Sequence, residues 1–348
     1  MDMAWPERRA AYPHKHRDDV GGTRGDLGHG DLTKVRAYQL IPWLNLSCGG
    51  CLSGVTPRKN IEAASACSGT MGAGAGAERA ERPAEKRLFV GANWKCSLES
   101  VEQVDQLLSS IATAVSAETK GLAGLELCIF APYVFLERAR RILPTEIRVG
   151  SQNAWDAAEG FACTGVVTSS MLKGIGCDWV LLGHSDRRNV LGESHDLISQ
   201  KVRRCLESGL KVNITIGEKK EAREKGQELQ VLQEQLESVA KAVPADAWDR
   251  MAVAYEPVWA VGEGAVPCEP NEAQRVHSAL RQWLKEKFGE NTSKCLFLYT
   301  GSVNESNAEH YAALPDVDGF VVGRAGLDVE KLSAICRTLV SCKSGSGA

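Results

Sequence analysis

Residues 178–217 read DWVLLGHSDRRNVLGESHDLISQKVRRCLESGLKVNITIG, and this stretch decides the fold. It opens on a short continuous apolar run, 178–183, and closes on another, 211–217. Neither run alternates strictly between apolar and polar, so both suit strands buried on two faces. Between them, in 194–208, Leu197, Ile198, Val202, Cys205 and Leu206 share one helical face, with Lys201, Arg203 and Arg204 expected outward. The same rhythm extends in both directions. Runs at 87–92 (RLFVGA), 125–131 (LELCIFA) and 146–151 (EIRVGS) come before it. Runs at 251–256 (MAVAYE), 295–300 (CLFLYT) and 318–323 (DGFVVG) come after, with helical patterns at 228–241 and 271–286. Eight strands alternating with helices over about 250 residues predict an α/β protein built as a (β/α)₈ barrel. An open dinucleotide-binding sheet is disfavoured, because no G-x-G-x-x-G turn follows the first strand.

The composition changes near residue 86. Before it, Gly, Ala, Arg and Asp dominate, and 67–86 (CSGTMGAGAGAERAERPAEK) reads as a flexible linker. Residues 1–86 hold 12 basic and 10 acidic side chains and the remainder 29 and 34, so the charge changes sign at the same boundary. The expected division is a disordered N-terminal extension at 1–86, a barrel domain at 87–342 and a short tail at 343–348. Within the extension, the apolar patch 37–46 (AYQLIPWLNL) follows Lys34 and Arg36, an order that suggests an organelle-targeting leader. Yet the patch starts far from the N-terminus, carries Pro42 and Asn45, and lies in a Ser-poor segment with many acids. A transit peptide leading to a plastid or other organelle, a disordered tail on a cytoplasmic protein and a mis-assigned start codon therefore all stand.

The formal charge of −3 gives no reason to expect nucleic acid or an anionic membrane as partner. No stretch of 18 apolar residues is present to span a bilayer. Of twelve cysteines, Cys128, Cys177, Cys205 and Cys295 sit in apolar runs, and only Cys48 and Cys51 form a C-x-x-C. With no second pair at zinc spacing, free thiols in a reducing compartment and no metal are expected.

Barrel active sites lie at the C-terminal ends of the strands. There the first strand presents Asn93 and Lys95, the fourth His184 and Ser185, the sixth Glu256, and the eighth Gly323 and Arg324. Singly, each has a plain structural reading: a buried carboxylate, a satisfied histidine, a solvated lysine, a turn asparagine. Together they suit proton abstraction beside a carbonyl, with a carboxylate base and fixed donors for the enediolate oxygen. Gly-rich loops at 261–264, 300–302 and 323–326 offer backbone N–H groups for a phosphate.

FVGANWK (89–95), APYVFL (131–136), SQNAW (151–155), LLGHSDRR (181–188), IGEK (216–219), AYEPVWAVGEG (254–264), YTGSV (299–303) and DGFVVG (318–323) together resemble the triosephosphate isomerase family. The resemblance spans essentially all of 87–342, in the family's order. It implies a TIM barrel and a homodimeric enzyme without cofactor that interconverts glyceraldehyde 3-phosphate and dihydroxyacetone phosphate. By the same resemblance, Glu256 is the base, His184 the electrophile, and Asn93 and Lys95 bind substrate. Gly262, Ser302, Gly323 and Arg324 supply N–H groups to the phosphate. Pro257, Val258, Trp259, Ala260, Val261, Gly262, Glu263, Gly264 and Ala265 form a mobile lid, and Ser185 and Asp186 support the site. Thr164, in the loop 160–166, reaches across a dimer.

Five positions depart from the family pattern. Asp186 stands where a glutamate is usual, Thr300 and Arg324 replace glycines, Gly326 replaces a serine, and Val166 replaces a glutamate. They are expected to tune rate rather than abolish it. The alternatives are a catalytically silent, phosphate-binding member of the family and a barrel isomerase for a larger sugar or ribosyl phosphate.

Overall fold

The computed structural model describes residues 87–119, 124–155, 163–262 and 264–344. The proposed extension at 1–86 and the tail beyond 344 lie outside these. Within them run eight strands: β1 (Leu88–Asn93), β2 (Leu125–Ala131), β3 (Arg148–Ser151), β4 (Trp179–Leu182), β5 (Lys211–Ile216), β6 (Met251–Tyr255), β7 (Leu296–Thr300) and β8 (Gly319–Val322). Each begins and ends within two residues of its sequence-predicted run. All pair in parallel with their neighbours, and β1 closes on β8 through Phe89 opposite Gly319 and Val90 opposite Phe320. The sheet is the predicted closed barrel.

Burial on both faces explains the continuous apolar runs. Along β1, Leu88, Val90 and Ala92 pack outward against the helix layer, while Phe89 enters the barrel lumen. The lumen holds Phe89, Phe130, Trp179, Leu181, Leu298 and Val321, with Phe89 and Trp179 ring centres 4.8 Å apart. Cys128, Cys177, Cys205 and Cys295 are all buried, as small apolar side chains would be.

The helices are α1 (Val101–Thr119), α2 (Leu136–Ile142), α3 (Ser169–Gly174), α4 (His195–Glu207), α5 (Lys220–Glu224), α6 (Glu228–Ala240), α7 (Pro270–Phe288), α8 (Ala308–Ala312) and α9 (Val329–Ser344). None of them is long and apolar enough to cross a membrane. Helix α4 starts where Ser194 Oγ accepts the Leu197 N–H at 3.2 Å. Helix α7 starts on Pro270, whose missing N–H costs nothing at a first position, and stops at Gly289 with φ 89°. Helix α9 runs to Ser344, two residues past the expected barrel end at 342.

One side chain on α4 lies opposite to expectation. Lys201 is fully buried, not outward. It shares the face of Ile198 and Cys205, three before and four after it, and helical geometry carries it inward with them. Its ammonium bonds Glu193 Oε1 at 2.6 Å and Asn153 Oδ1 at 3.2 Å. The polarity of the lysine alone could not show that Glu193, two residues before the helix, neutralises it.

Candidate active site

The C-terminal ends of the strands gather the predicted residues at one mouth. A cavity of about 680 Å³ is lined there by Asn93, Lys95, His184, Glu256, Gly262, Ser302, Gly323 and Arg324, among others. Every catalytic and substrate-binding position expected from the sequence borders it.

Lys95 follows β1 with φ 48°, the one positive φ outside glycine among the described residues. That conformation strains an L-residue and persists only when its surroundings impose it. They do: the Lys95 N–H donates to Asn93 Oδ1 at 3.1 Å, and Gln152 Nε2 donates to the Lys95 carbonyl at 2.9 Å. The same Gln152 amide also donates to Phe130 O at 2.9 Å, tying Lys95 to the end of β2. Gln152 lies in the SQNAW segment, but only the fold shows whose backbone it holds.

His184 sits two residues past β4 and is almost fully buried. The Asp186 N–H donates to its Nδ1 at 3.1 Å, which requires a lone pair there and so places the ring proton on Nε2. Nε2 lies 3.2 Å from Glu256 Oε1. Burial holds the imidazole below its usual pKa of 6.5, helped by Lys95 and opposed by Glu256 and Asp186. A neutral ring with Nε2–H aimed at the base and the cavity is a hydrogen-bond donor for a carbonyl oxygen.

Glu256 follows β6 and is 2% exposed. Its Oε2 accepts the Ser185 N–H at 3.1 Å, so the carboxylate is parked on the β4 loop beside the histidine. Asp186, the shortened carboxylate, still reaches Lys95 Nζ at 3.0 Å and stands 3.4 Å from His184 Nδ1. Burial opposes its ionisation, but the hydrogen bond and positive charge of Lys95 win and hold its pKa below the ordinary value. Behind it, Arg188 donates to the Gly183 and Thr215 carbonyls at 2.6 and 3.3 Å, bracing the β4 turn against β5; burial brings its pKa down to about 10.

The expected lid begins as a 3₁₀ turn, Val258–Ala260, directly after Glu256 and Pro257. Glu263 lies outside the described residues, and Gly262 and Gly264 flank it with φ 122° and 75°. Trp259 Nε1 donates to Glu218 Oε1 at 2.6 Å, and Tyr255 O–H donates to the same oxygen at 3.0 Å. Arg223 lies over the Trp259 ring at 4.3 Å. Glu218, fully buried, has its pKa raised by burial against those hydrogen bonds. It anchors Tyr255 and Trp259 around the catalytic strand end, a contact that sequence reading missed, its signal being the acid of IGEK after β5.

Of the departures, Gly326 has a local explanation. A Cβ at Gly326 would come 2.7 Å from Ala92 Cβ, so the methyl group on β1 leaves no room for a larger residue there. Trp94 Nε1 donates to the Gly326 carbonyl at 3.1 Å and fixes the turn. Thr300 ends β7 almost buried and borders the cavity. Thr164 is exposed in a turn with Gly165 at φ 84°; residues 156–162 of its loop lie outside the described residues. Val166 is half-buried, and nothing further in the structure accounts for it.

A closed (β/α)₈ barrel with carboxylate, imidazole and ammonium around a glycine-lined cavity defines an acid–base barrel enzyme. The family model described as triosephosphate isomerase matches residues 88–339. The chain is 40% identical over 258 residues to a chloroplastic triosephosphate isomerase of Arabidopsis thaliana, covering 74% of this chain and 79% of that one. It is 41% identical over 261 residues to a cytosolic triosephosphate isomerase of Stellaria longipes, covering 74% of this chain and 98% of that one. A cytosolic relative from Oryza sativa subsp. japonica is 39% identical over 251 residues, 72% of this chain and 96% of its own. The chain belongs to the triosephosphate isomerase family.

Proposed function

We propose that this chain interconverts D-glyceraldehyde 3-phosphate and dihydroxyacetone phosphate through an enediolate. The observation that carries the reading is the contact of His184 Nε2 with Glu256 Oε1 at 3.2 Å, on the cavity that Lys95 and Gly323 also line. Glu256 leaves the Ser185 N–H and takes a proton from the carbon beside the substrate carbonyl. The electron pair of that C–H bond becomes the new C=C bond, and the carbonyl oxygen takes the negative charge. His184 Nε2–H and the Lys95 ammonium stabilise that oxygen, and the histidine moves a proton between the two enediolate oxygens. Glu256 then returns its proton to the neighbouring carbon. No cofactor is needed, since the proton removed is the proton replaced.

Because Pro257 joins Glu256 to the lid, lid closure and base placement are one motion. Closure over the Gly262, Ser302, Gly323 and Arg324 N–H groups excludes water and keeps the phosphate from leaving the enediolate. The test is coupled isomerase activity of the full chain and of Glu256→Gln. The variant should fold normally and lose ~10²–10⁴ in kcat. Full activity in Glu256→Gln would remove Glu256 as base, and a folded wild type without turnover would favour the silent, phosphate-binding alternative.

The quaternary state belongs to the same proposal. Tyr133, Val134, Val190 and Leu191 are exposed apolar side chains on the loops after β2 and β4, at the same end as Lys95 and Thr164. Their exposure at that end supports a homodimer whose interface covers it. Light scattering showing a monomer at micromolar concentration would overturn it. The domain division is proposed likewise: a chain lacking residues 1–86 should remain folded and active, and loss of folding on that truncation would show that the extension is part of the barrel's support.

A further inference from the structure

Three cations line the cavity: Lys95, Lys331 and Arg324. Two are already spent. Lys95 pairs with Asp186 at 3.0 Å, and Lys331 pairs with Glu305 at 3.4 Å. Arg324 has no ion pair or side-chain hydrogen bond among the described residues, and it is exposed at the rim. Its backbone is the opposite of free. It opens the 3₁₀ turn Arg324–Leu327, in which Ala325 and Gly326 are buried, the Gly326 N–H returns to the Gly323 carbonyl at 2.9 Å, and Trp94 holds Gly326. A fixed backbone thus carries an unspent cation on a residue that lines the cavity next to Gly323.

We infer that the Arg324 side chain is itself a phosphate-binding residue, adding a cation to the backbone cradle. The inference rests on the reading of this cavity as a triose phosphate site and deepens it. Guanidinium is a planar, permanently charged fork matched to two phosphate oxygens. Even without direct contact, one positive charge about 7 Å from a dianion in water changes affinity roughly three- to tenfold. The attraction acts on substrate, enediolate and inorganic phosphate alike. It therefore belongs in KM and in product or phosphate inhibition rather than in kcat. It is also screened by salt, because the group is exposed.

The experiment compares full-length wild type, Arg324→Gln and Arg324→Lys at low ionic strength and in about 1 M sodium chloride, where screening extends to within about 3 Å. Steady-state kinetics and calorimetry with inorganic phosphate are run on each. At low salt, Arg324→Gln should raise KM and the dissociation constant of phosphate three- to tenfold, with the loss falling on KM rather than kcat. Arg324→Lys should recover most of the affinity, and high salt should erase the difference between the three. Unchanged KM and phosphate affinity in Arg324→Gln would overturn the inference. So would a loss in kcat with unchanged phosphate affinity, which would assign the residue to the shape of the turn. If wild type binds phosphate but turns over no triose phosphate, the proposed function falls, while the calorimetric comparison still decides the role of Arg324.

Discussion

Gly217→Ala should cost this enzyme far more activity than stability. Gly217 follows β5 and faces the end of β6, where a Cβ would lie 1.9 Å from the Glu256 carbonyl oxygen and 3.1 Å from Val258 Cγ2. Real Cβ atoms essentially never approach within 3.0 Å, so the two strand ends must part by at least 1.1 Å. Neither side yields easily. The Glu256 N–H donates to Ile216 O at 2.8 Å and the Val258 N–H to Glu218 O at 3.2 Å, so the clash falls between two ladder bonds. The Gln235 side-chain amide grips Gly217 from both directions, at 3.0 Å to its N–H and 2.9 Å to its carbonyl. Overpacking of this kind costs about 1–3 kcal/mol, or roughly 2–12 °C in melting temperature for a domain of this size. A displacement near 1 Å of a catalytic carboxylate costs about 10² in kcat. KM should move less than kcat, by about threefold at most, because two of the three phosphate loops follow β7 and β8 and only the Gly262 loop continues from the displaced end of β6. The assay is coupled isomerase kinetics beside thermal melting by circular dichroism. Gly174→Ala, where a Cβ meets nothing within 4 Å, is the control and should change neither. A folded Gly217→Ala enzyme with kcat within about threefold of wild type would refute the claim that β5 and β6 locate the base by backbone contact.

Two further outcomes are expected. Glu193→Ala leaves Lys201 fully buried without its carboxylate and should cost ~3–5 kcal/mol, a fall of roughly 6–20 °C in melting temperature at pH 7. Burial already lowers the Lys201 pKa against the pull of Glu193, so the unfolded chain binds the extra proton. Stability should accordingly rise with pH toward the usual lysine range, more steeply in the variant, and a melting temperature within 2 °C of wild type would sink this account. For His184, the folded pKa lies below 6.5, so the unfolded chain takes the proton first as pH falls, and stability is lost below that value. The ring should be neutral at pH 7, with Nδ1 unprotonated; ¹⁵N chemical shifts showing a proton on Nδ1 at pH 7 would contradict the assigned tautomer.

Much of this protein was legible along the chain because its determinants are local. A strand buried on both faces must be a continuous apolar run, and eight such runs spaced by helical patterns admit few architectures. Residues at the ends of those runs are therefore at the barrel mouth, which is how Asn93, Lys95, His184, Glu256 and Gly323 could be named together before any contact was known. The limits fall where a residue's meaning depends on a distant neighbour. Lys201 read as an exposed cation because polarity is a property of one residue, whereas its burial depends on Glu193 and Asn153 reaching it in the fold. Gln152 and Glu218 lay within recognised segments, yet the backbone and indole groups they hold come from other strands. Gly326 looked like the loss of a serine until Ala92, 234 positions earlier in the chain, was seen to occupy the space.

By itself the sequence determined the element order, the barrel and the residues at its mouth, since hydrophobic period and strand-end position need no knowledge of long-range contacts. Only the tertiary structure decided the left-handed backbone at Lys95, the tautomer of His184, the parking of Glu256 on Ser185 and the unspent charge of Arg324. Gln152 beyond β3 holds the Lys95 carbonyl and Ser185 beyond β4 holds Glu256, while the His184 ring and the Arg324 side chain take their surroundings from the assembled mouth; these arrangements exist only once the sheet has closed.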